Sequence, residues 1–303
     1  MRTLLAVIAI GMAVIAVTFW AYGGMDQVAI WAAEGQRKFQ NAMAQALRSL
    51  RAGEPQALAT LLIVCFSYGF FHAVGPGHGK VLIGGYGVGR RIGLMKLSSI
   101  ALMSSLAQAL TAIALVYSGV FLLNWSRKQM VDITENLMAP ISYGAIALIG
   151  LWLFLRGLRT LRRQVKSSHN CDDHGHEHAD GTCSSCGHRH APSAAEIAQL
   201  HTWRDTVILI LGIAIRPCSG ALFLLVLTWR MGIELAGILG ALAMGLGTGS
   251  VTVAVAVISV LFRGTALNAV GAPQKLALLV PLLEIIAGGF VVIIATQLLR
   301  ISL

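Results

Sequence analysis

Apolar residues dominate seven stretches of this chain, at about 4–22, 57–74, 97–123, 140–157, 206–227, 235–262 and 277–299. Each is long enough to cross the roughly 30 Å hydrocarbon layer of a bilayer as an α-helix, so the pattern predicts seven spanning helices. The stretch 26–52 reads differently. Phe39, Met43, Leu47 and Leu50 recur at helical spacing with Gln, Arg and Lys between them, which predicts an amphipathic helix along a membrane surface, in a structural role. The first apolar run exceeds the roughly 7 to 15 apolar residues of a secretory signal, and no Ala-x-Ala triplet follows it closely. A retained helix is expected.

Composition agrees, since 56% of the 303 residues are hydrophobic and 12% charged. The net charge of +10 would suggest nucleic acid in a soluble protein. Here the basic residues flank the spans, so the charge is a topology signal and no nucleic-acid partner is expected. With the N-terminus inside, fourteen basic residues fall on the inner side and eight on the outer, which puts the 158–204 loop in the cytoplasm.

Candidate chemistry begins in the second run, at Phe71-His72-Ala73-Val74-Gly75-Pro76-Gly77-His78-Gly79-Lys80. Imidazoles ligate divalent transition metals, and broken backbone at membrane depth is tolerated only inside protein or beside a cavity. Pro76 has no N–H and its ring clashes with the carbonyl of His72, so that oxygen is a spare ligand. In a straight helix His72 and His78 would point apart, and a kink at Gly75-Pro76-Gly77 can bring them to one side.

Compared with itself at an offset of 141, the chain aligns Ala73, Pro76 and Gly79 with Ala214, Pro217 and Gly220 without a gap. Thr111, Ser118, Phe121 and Pro140 fall on Thr252, Ser259, Phe262 and Pro281. A stripe of small and hydroxyl residues also repeats, with Ser104, Gln108, Thr111 and Ser118 in one half and Gly245, Gly249, Thr252 and Ser259 in the other. Such a stripe allows close packing or lines a polar path. Three spans per repeat make the halves enter the membrane from opposite sides, an architecture whose broken helices meet at a binding site near the midplane. The second break is Ile213-Ala214-Ile215-Arg216-Pro217-Cys218-Ser219-Gly220, where Pro217 frees the carbonyl of Ile213 and Cys218 offers sulfur.

Between the halves lies a second concentration of ligands. His169, Cys171, His174, His176, His178, Cys183, Cys186, His188 and His190 fall within 22 residues, joined by acidic side chains. Cys183-x-x-Cys186 followed by His188 and His190 has zinc-like spacing, and the composition predicts a metal-collecting loop that orders on binding.

These features together resemble the nickel/cobalt transporters of the NicO type, most of them efflux systems. The first motif matches at His72, Ala73, Pro76, Gly77, His78, Gly79 and Lys80, and the likeness runs from about 57 to 303. Arg216 and Ser219, flanking Pro217-Cys218, match more loosely. The resemblance implies divalent metal transport across a bacterial inner membrane, with relatives that carry zinc or import.

The chain is therefore read as an all-α polytopic membrane protein, not an enzyme, with no permanently bound cofactor and Ni²⁺, Co²⁺ or Zn²⁺ as cargo. Its parts are 1–56, an N-terminal helix and outer segment; 57–157, a first three-helix half; 158–204, the loop; and 205–303, the second half. His72, His78, Cys218 and Ser219 form the expected transport site, framed by Gly75, Pro76, Gly77, Gly79, Pro217 and Gly220. Lys80, Arg216 and Glu284 are charges expected to have partners or coupling roles, with an Arg216–Glu284 pair ranked first. Proton-coupled export is expected, since no nucleotide-binding motif occurs. Import by the same fold is the main alternative, and the bilayer, metal ions and a second copy of the chain are the expected partners. A thiol-disulfide conductor using Cys65 and Cys218 and a metal-sensing receptor are weaker readings. The redox reading leaves both histidines idle, and the two cysteines are not equivalent in the repeat.

Overall fold

A computed structural model describes residues 18, 22–75, 77–90, 92–168, 203–270 and 273–302. Among these the chain is helical: α1 (Gly24–Arg51), α2 (Ala57–Val74), α3 (His78–Gly89), α4 (Leu94–Phe121), α5 (Arg127–Ile133), a π-helical turn (Thr134–Met138), α6 (Ala139–Ser168), α7 (Trp203–Ala214), α8 (Ser219–Met231), α9 (Glu234–Val270) and α10 (Pro273–Ser302). Five segments are long and apolar enough to cross a membrane, Ala57–Val74, Leu94–Phe121, Arg127–Arg163, Glu234–Leu267 and Leu279–Ser302. The pair Thr206–Ala214 and Ser219–Met231, bent by 62°, makes a sixth if counted as one span. Of the expected helix at 4–22 only residues 18 and 22 are among the described residues, and the loop from 169 to 202 lies outside them.

Two apolar cores hold the helices together. One gathers Met43 and Leu47 of α1, Leu61 and Tyr68 of α2, Val116 of α4, Leu222 and Leu225 of α8 and Met244 of α9. The other gathers Ile83 and Tyr86 of α3, Leu97 and Ile100 of α4, Ile146 of α6, Leu209 and Ile213 of α7 and Val291 of α10. Large apolar side chains also point outward, among them Ile63, Leu148, Ile258 and Ile293. In water that arrangement would be an aggregation hazard, whereas lipid solvates it.

The amphipathic face of α1 is buried against protein. Met43 and Leu47 are fully buried, Phe39 and Leu50 pack at the edge of the same core, and α1 lies along α2. The contact is close at Gly35, where a Cβ would fall 2.2 Å from the Phe71 ring. Trp31 and Phe39 clasp that ring at centroid distances of 4.7 and 5.4 Å. The helix expected along a membrane surface thus braces the end of α2 that carries His72.

The repeat spacing reappears in the helix boundaries. His78 and Ser219, which open α3 and α8 after their breaks, are 141 residues apart, and Leu94 and Glu234, which open α4 and α9, are 140 apart. Packing is reciprocal as well: α2 lies on α9 and α7 on α4, while α3 touches α9 and α8 touches α4. The small-residue stripe of α9 is used for close packing against α4. A Cβ at Gly245 would meet the Ser105 carbonyl at 3.2 Å, and the Ser105 and Thr252 hydroxyls are hydrogen-bonded at 3.1 Å. Thr111 and Ser118 satisfy their hydroxyls on carbonyls four residues back in their own helix.

Candidate metal centre

Two helix breaks face each other in the middle of this bundle. After Val74 the chain leaves the helix through Gly75 (φ −58°, ψ 165°), and an extended Gly77 (φ −163°, ψ 142°) leads into His78 and α3. The proline between them explains the stop, because it can neither donate the next helical hydrogen bond nor tolerate the α conformation before it. Cys218, with extended backbone (φ −71°, ψ 128°), opens α8 in the same way. A Cβ at Gly79 would sit 3.4 Å from the Ile213 side chain, so the start of α3 rests on the end of α7.

Across this junction the His72 side chain and the Cys218 thiol are in hydrogen-bonding contact. Tyr68, one turn before His72 on the same helix face, stacks parallel to the imidazole at 6.1 Å with an interplanar angle of 6°. Its hydroxyl accepts a hydrogen bond from Gln36 Nε2 of α1 at 3.1 Å and reaches the side chains of Cys218 and Ser219. Gly220 permits that approach, since a Cβ there would fall 2.3 Å from the Tyr68 ring. The N–H groups of Gly220 and Ala221, in the first turn of α8, approach the sulfur. The thiolate is the metal-binding form of cysteine.

The carbonyls at the two breaks are held differently. Lys80 reaches back from α3 to donate to the Val74 carbonyl at 3.0 Å and to the Gly75 carbonyl. At the other break Gln108 Nε2 of α4 donates to the carbonyls of Ile213 at 3.1 Å and Arg216 at 3.3 Å. The Ile213 oxygen, expected as a spare ligand because Pro217 frees it, is therefore capped by a side-chain amide.

Arg216 and Glu284 do not pair. The Arg216 guanidinium meets Glu135 at 2.7 Å, donates to the Tyr143 hydroxyl and lies 5.1 Å over the Tyr143 ring. Glu135 sits in the π-helical turn, whose extra residue per turn re-aims the side chain toward the break. Glu284 is buried instead against α6, 4.0 Å from Arg156, with Arg90 and Arg263 near enough for their charges to act on it. The expected pair fails because the π turn puts a nearer carboxylate beside the break, while α10 packs along α6.

Among the described residues no three His, Cys, Asp or Glu side chains converge as a metal cage. His72 and Cys218 are the described pair, with the Tyr68 and Ser219 hydroxyls and the half-helix carbonyls as further donors. The position of the His78 side chain lies outside the described residues, as do Pro76 and the loop ligands His169 to His190. An imidazole and a thiolate suit borderline metals such as nickel, cobalt and zinc. Cys65, by contrast, is fully buried in the α2–α9 core and packs on Gly240.

Residues 58–182 match the family model NicO, described as high-affinity nickel-transport protein. A Haemophilus influenzae protein named "Putative nickel/cobalt efflux system" is 30% identical over 287 residues, covering 88% of this chain and 87% of that protein. No solved structure matches. Similarity on that scale, spread over both helix breaks, is what common descent leaves, and the chain belongs to the NicO family of nickel/cobalt transport proteins.

Proposed function

We propose that this chain is a secondary exporter of Ni²⁺ or Co²⁺ in a bacterial inner membrane, built from two inverted halves and driven by proton antiport. The observation that carries the reading is the contact of His72, from the first half, with Cys218, from the second. A ligand pair split between halves is made and broken as the halves rock, which is the motion alternating access requires. The spacing of the helix restarts, 141 and 140 residues, and the reciprocal packing of the helices support the inversion. An open shell of a few strong ligands also fits cargo that must leave.

Export is favoured over import because the excess of basic residues supports a cytoplasmic His-rich loop, where it would meet ions to be expelled. Protons enter through ligand chemistry, because imidazole must be neutral to bind metal, so protons and metal compete for His72 and His78. In inverted vesicles an inward-acidic gradient should drive nickel or cobalt into the lumen, and a protonophore should stop it. Uptake indifferent to the gradient would eliminate antiport. Accumulation of metal by intact cells expressing the protein would reverse the direction.

Deleting residues 169–190 should leave transport nearly intact at saturating metal and weaken it at low metal, because a collecting loop raises local ion concentration without forming the path. Concentration–flux curves of the deletion check this. An unchanged curve removes the collecting role, and loss at every concentration in a folded protein puts the loop ligands in the path itself.

A further inference from the structure

We propose that Lys80 is the transporter's own stand-in for its cargo, its ammonium filling the carbonyl cradle at the end of α2 when no metal is there and giving way when metal arrives. The inference rests on the His72–Cys218 junction being the metal site. Lys80 is the third residue of α3, and its side chain folds back over the first break. A Cβ at Gly77 would sit 3.6 Å from Lys80 Cε, so the stem runs along the bare backbone of that glycine. Its Nζ then rests on the carbonyls of Val74 and Gly75. Those oxygens lie at the C-terminal end of a half-helix, where carbonyl dipoles add and cations are favoured. They bind an ammonium for the same reason that they would bind a metal ion.

The two basic side chains at the junction differ in one respect. Arg216 is tied to the Glu135 carboxylate and braced by Tyr143, so its charge is balanced on the spot. No carboxylate among the described residues pairs with Lys80 within 4.0 Å; neutral oxygens hold it. The second break has its carbonyls capped by Gln108, which carries no charge to exchange. Among the described residues a cation is seated on oxygens that another cation could use at the first break and not at the second, and both charges lie near enough to act on His72. A divalent ion on His72 and Cys218 repels the ammonium and competes for its oxygens. Metal entry therefore expels Lys80, and metal departure lets it return.

This exchange assigns a task to each half of the transport cycle. A cradle of half-buried carbonyls left without a cation is costly, so the emptied carrier resets with Lys80 in place. Net transport needs that reset; one-for-one metal exchange does not. Lys80→Met keeps the stem and removes the charge, and Lys80→Arg keeps the charge.

In detergent, Lys80→Met should bind Ni²⁺ about ten- to hundredfold more tightly than the unmodified protein, the range of a typical coupling between competing ligands. In proteoliposomes it should keep ⁶³Ni²⁺/Ni²⁺ exchange while losing net Ni²⁺ flux, with Lys80→Arg recovering part of it. Joint loss of binding, exchange and flux in a folded Lys80→Met protein would make Lys80 a plain structural cap. Unchanged affinity or unchanged net flux would remove it from the cycle. Should Lys80→Met not fold, the unmodified protein decides: Ni²⁺ should speed acetylation of the Lys80 amine as read by mass spectrometry, and a constant or falling rate overturns the proposal. Undiminished Ni²⁺ binding by a His72→Ala, Cys218→Ser double variant would instead overturn the site on which the proposal stands.

Discussion

Replacing His72 by Ala, or Cys218 by Ser, is expected to reduce nickel or cobalt export to background while leaving the amount of protein in the membrane unchanged. Each change removes a strong donor from a pair drawn from the two helix breaks, and water cannot restore a nitrogen or sulfur ligand in the same place. Loss of a group that merely orients a metal ligand costs about 10- to 100-fold, and loss of the ligand itself should exceed that. Neither substitution empties much of the core, because His72 is half-buried at the junction between broken helices and Cys218 packs only at the edge of the first core. Efflux assays at matched expression give the measurement. A double variant exporting at the unmodified rate would end the assignment of the site.

Which parts of this arrangement could be read from the chain follows from their physics. Proline and glycine act locally, so Pro76 and Pro217 announce their breaks wherever the helices later pack. The spacing of 141 was legible for the same reason: scarce residues mark it, α3 and α8 restart 141 residues apart, and α4 and α9 restart 140 apart. The count of spans follows from length and apolarity alone, and six of the seven stretches have helical counterparts among the described residues. Nearly all of the seventh, 4–22, lies outside them.

Partners across the bundle were not legible. In lipid both faces of a helix are apolar, so hydrophobic periodicity no longer says which face is inside. Ile63 and Leu61 look alike in the sequence, yet Leu61 is fully buried and Ile63 is 66% exposed. Glu135 falls between the apolar stretches 97–123 and 140–157. Only the π turn aims it at Arg216, and a single insertion of that kind leaves no mark in composition. Gln108 appeared in the polar stripe, but its use as a cap on the second break depends on α4 lying against α7. Tyr68 did have a signal, since a polar aromatic one turn before a candidate ligand shares its face.

The α2–α9 seam should fail if a single methyl group is added to it. Gly69 and Gly247 face each other's helix so closely that a Cβ at either would lie 2.1 Å from a carbonyl oxygen, of Met244 in one case and Phe66 in the other. Both obstacles are backbone, so no side-chain rotation relieves them and the helices must separate. Overpacking that side chains can absorb costs about 1–3 kcal/mol, and this clash, with the loss of the Thr248 bond to the Gly69 carbonyl, belongs at or above the top of that range. His72 lies one turn beyond Gly69, so separation would also draw the imidazole away from Cys218. Gly247→Ala and Gly69→Ala should therefore lower both folded yield and melting temperature by size-exclusion chromatography after heating. Gly144→Ala, with nothing within 4 Å of the added Cβ, should be neutral or mildly stabilising, since Ala is the better helix former by about 1 kcal/mol. If Gly247→Ala melts with Gly144→Ala, the seam is looser than described, and the positioning of His72 must depend on α1 and Tyr68 instead.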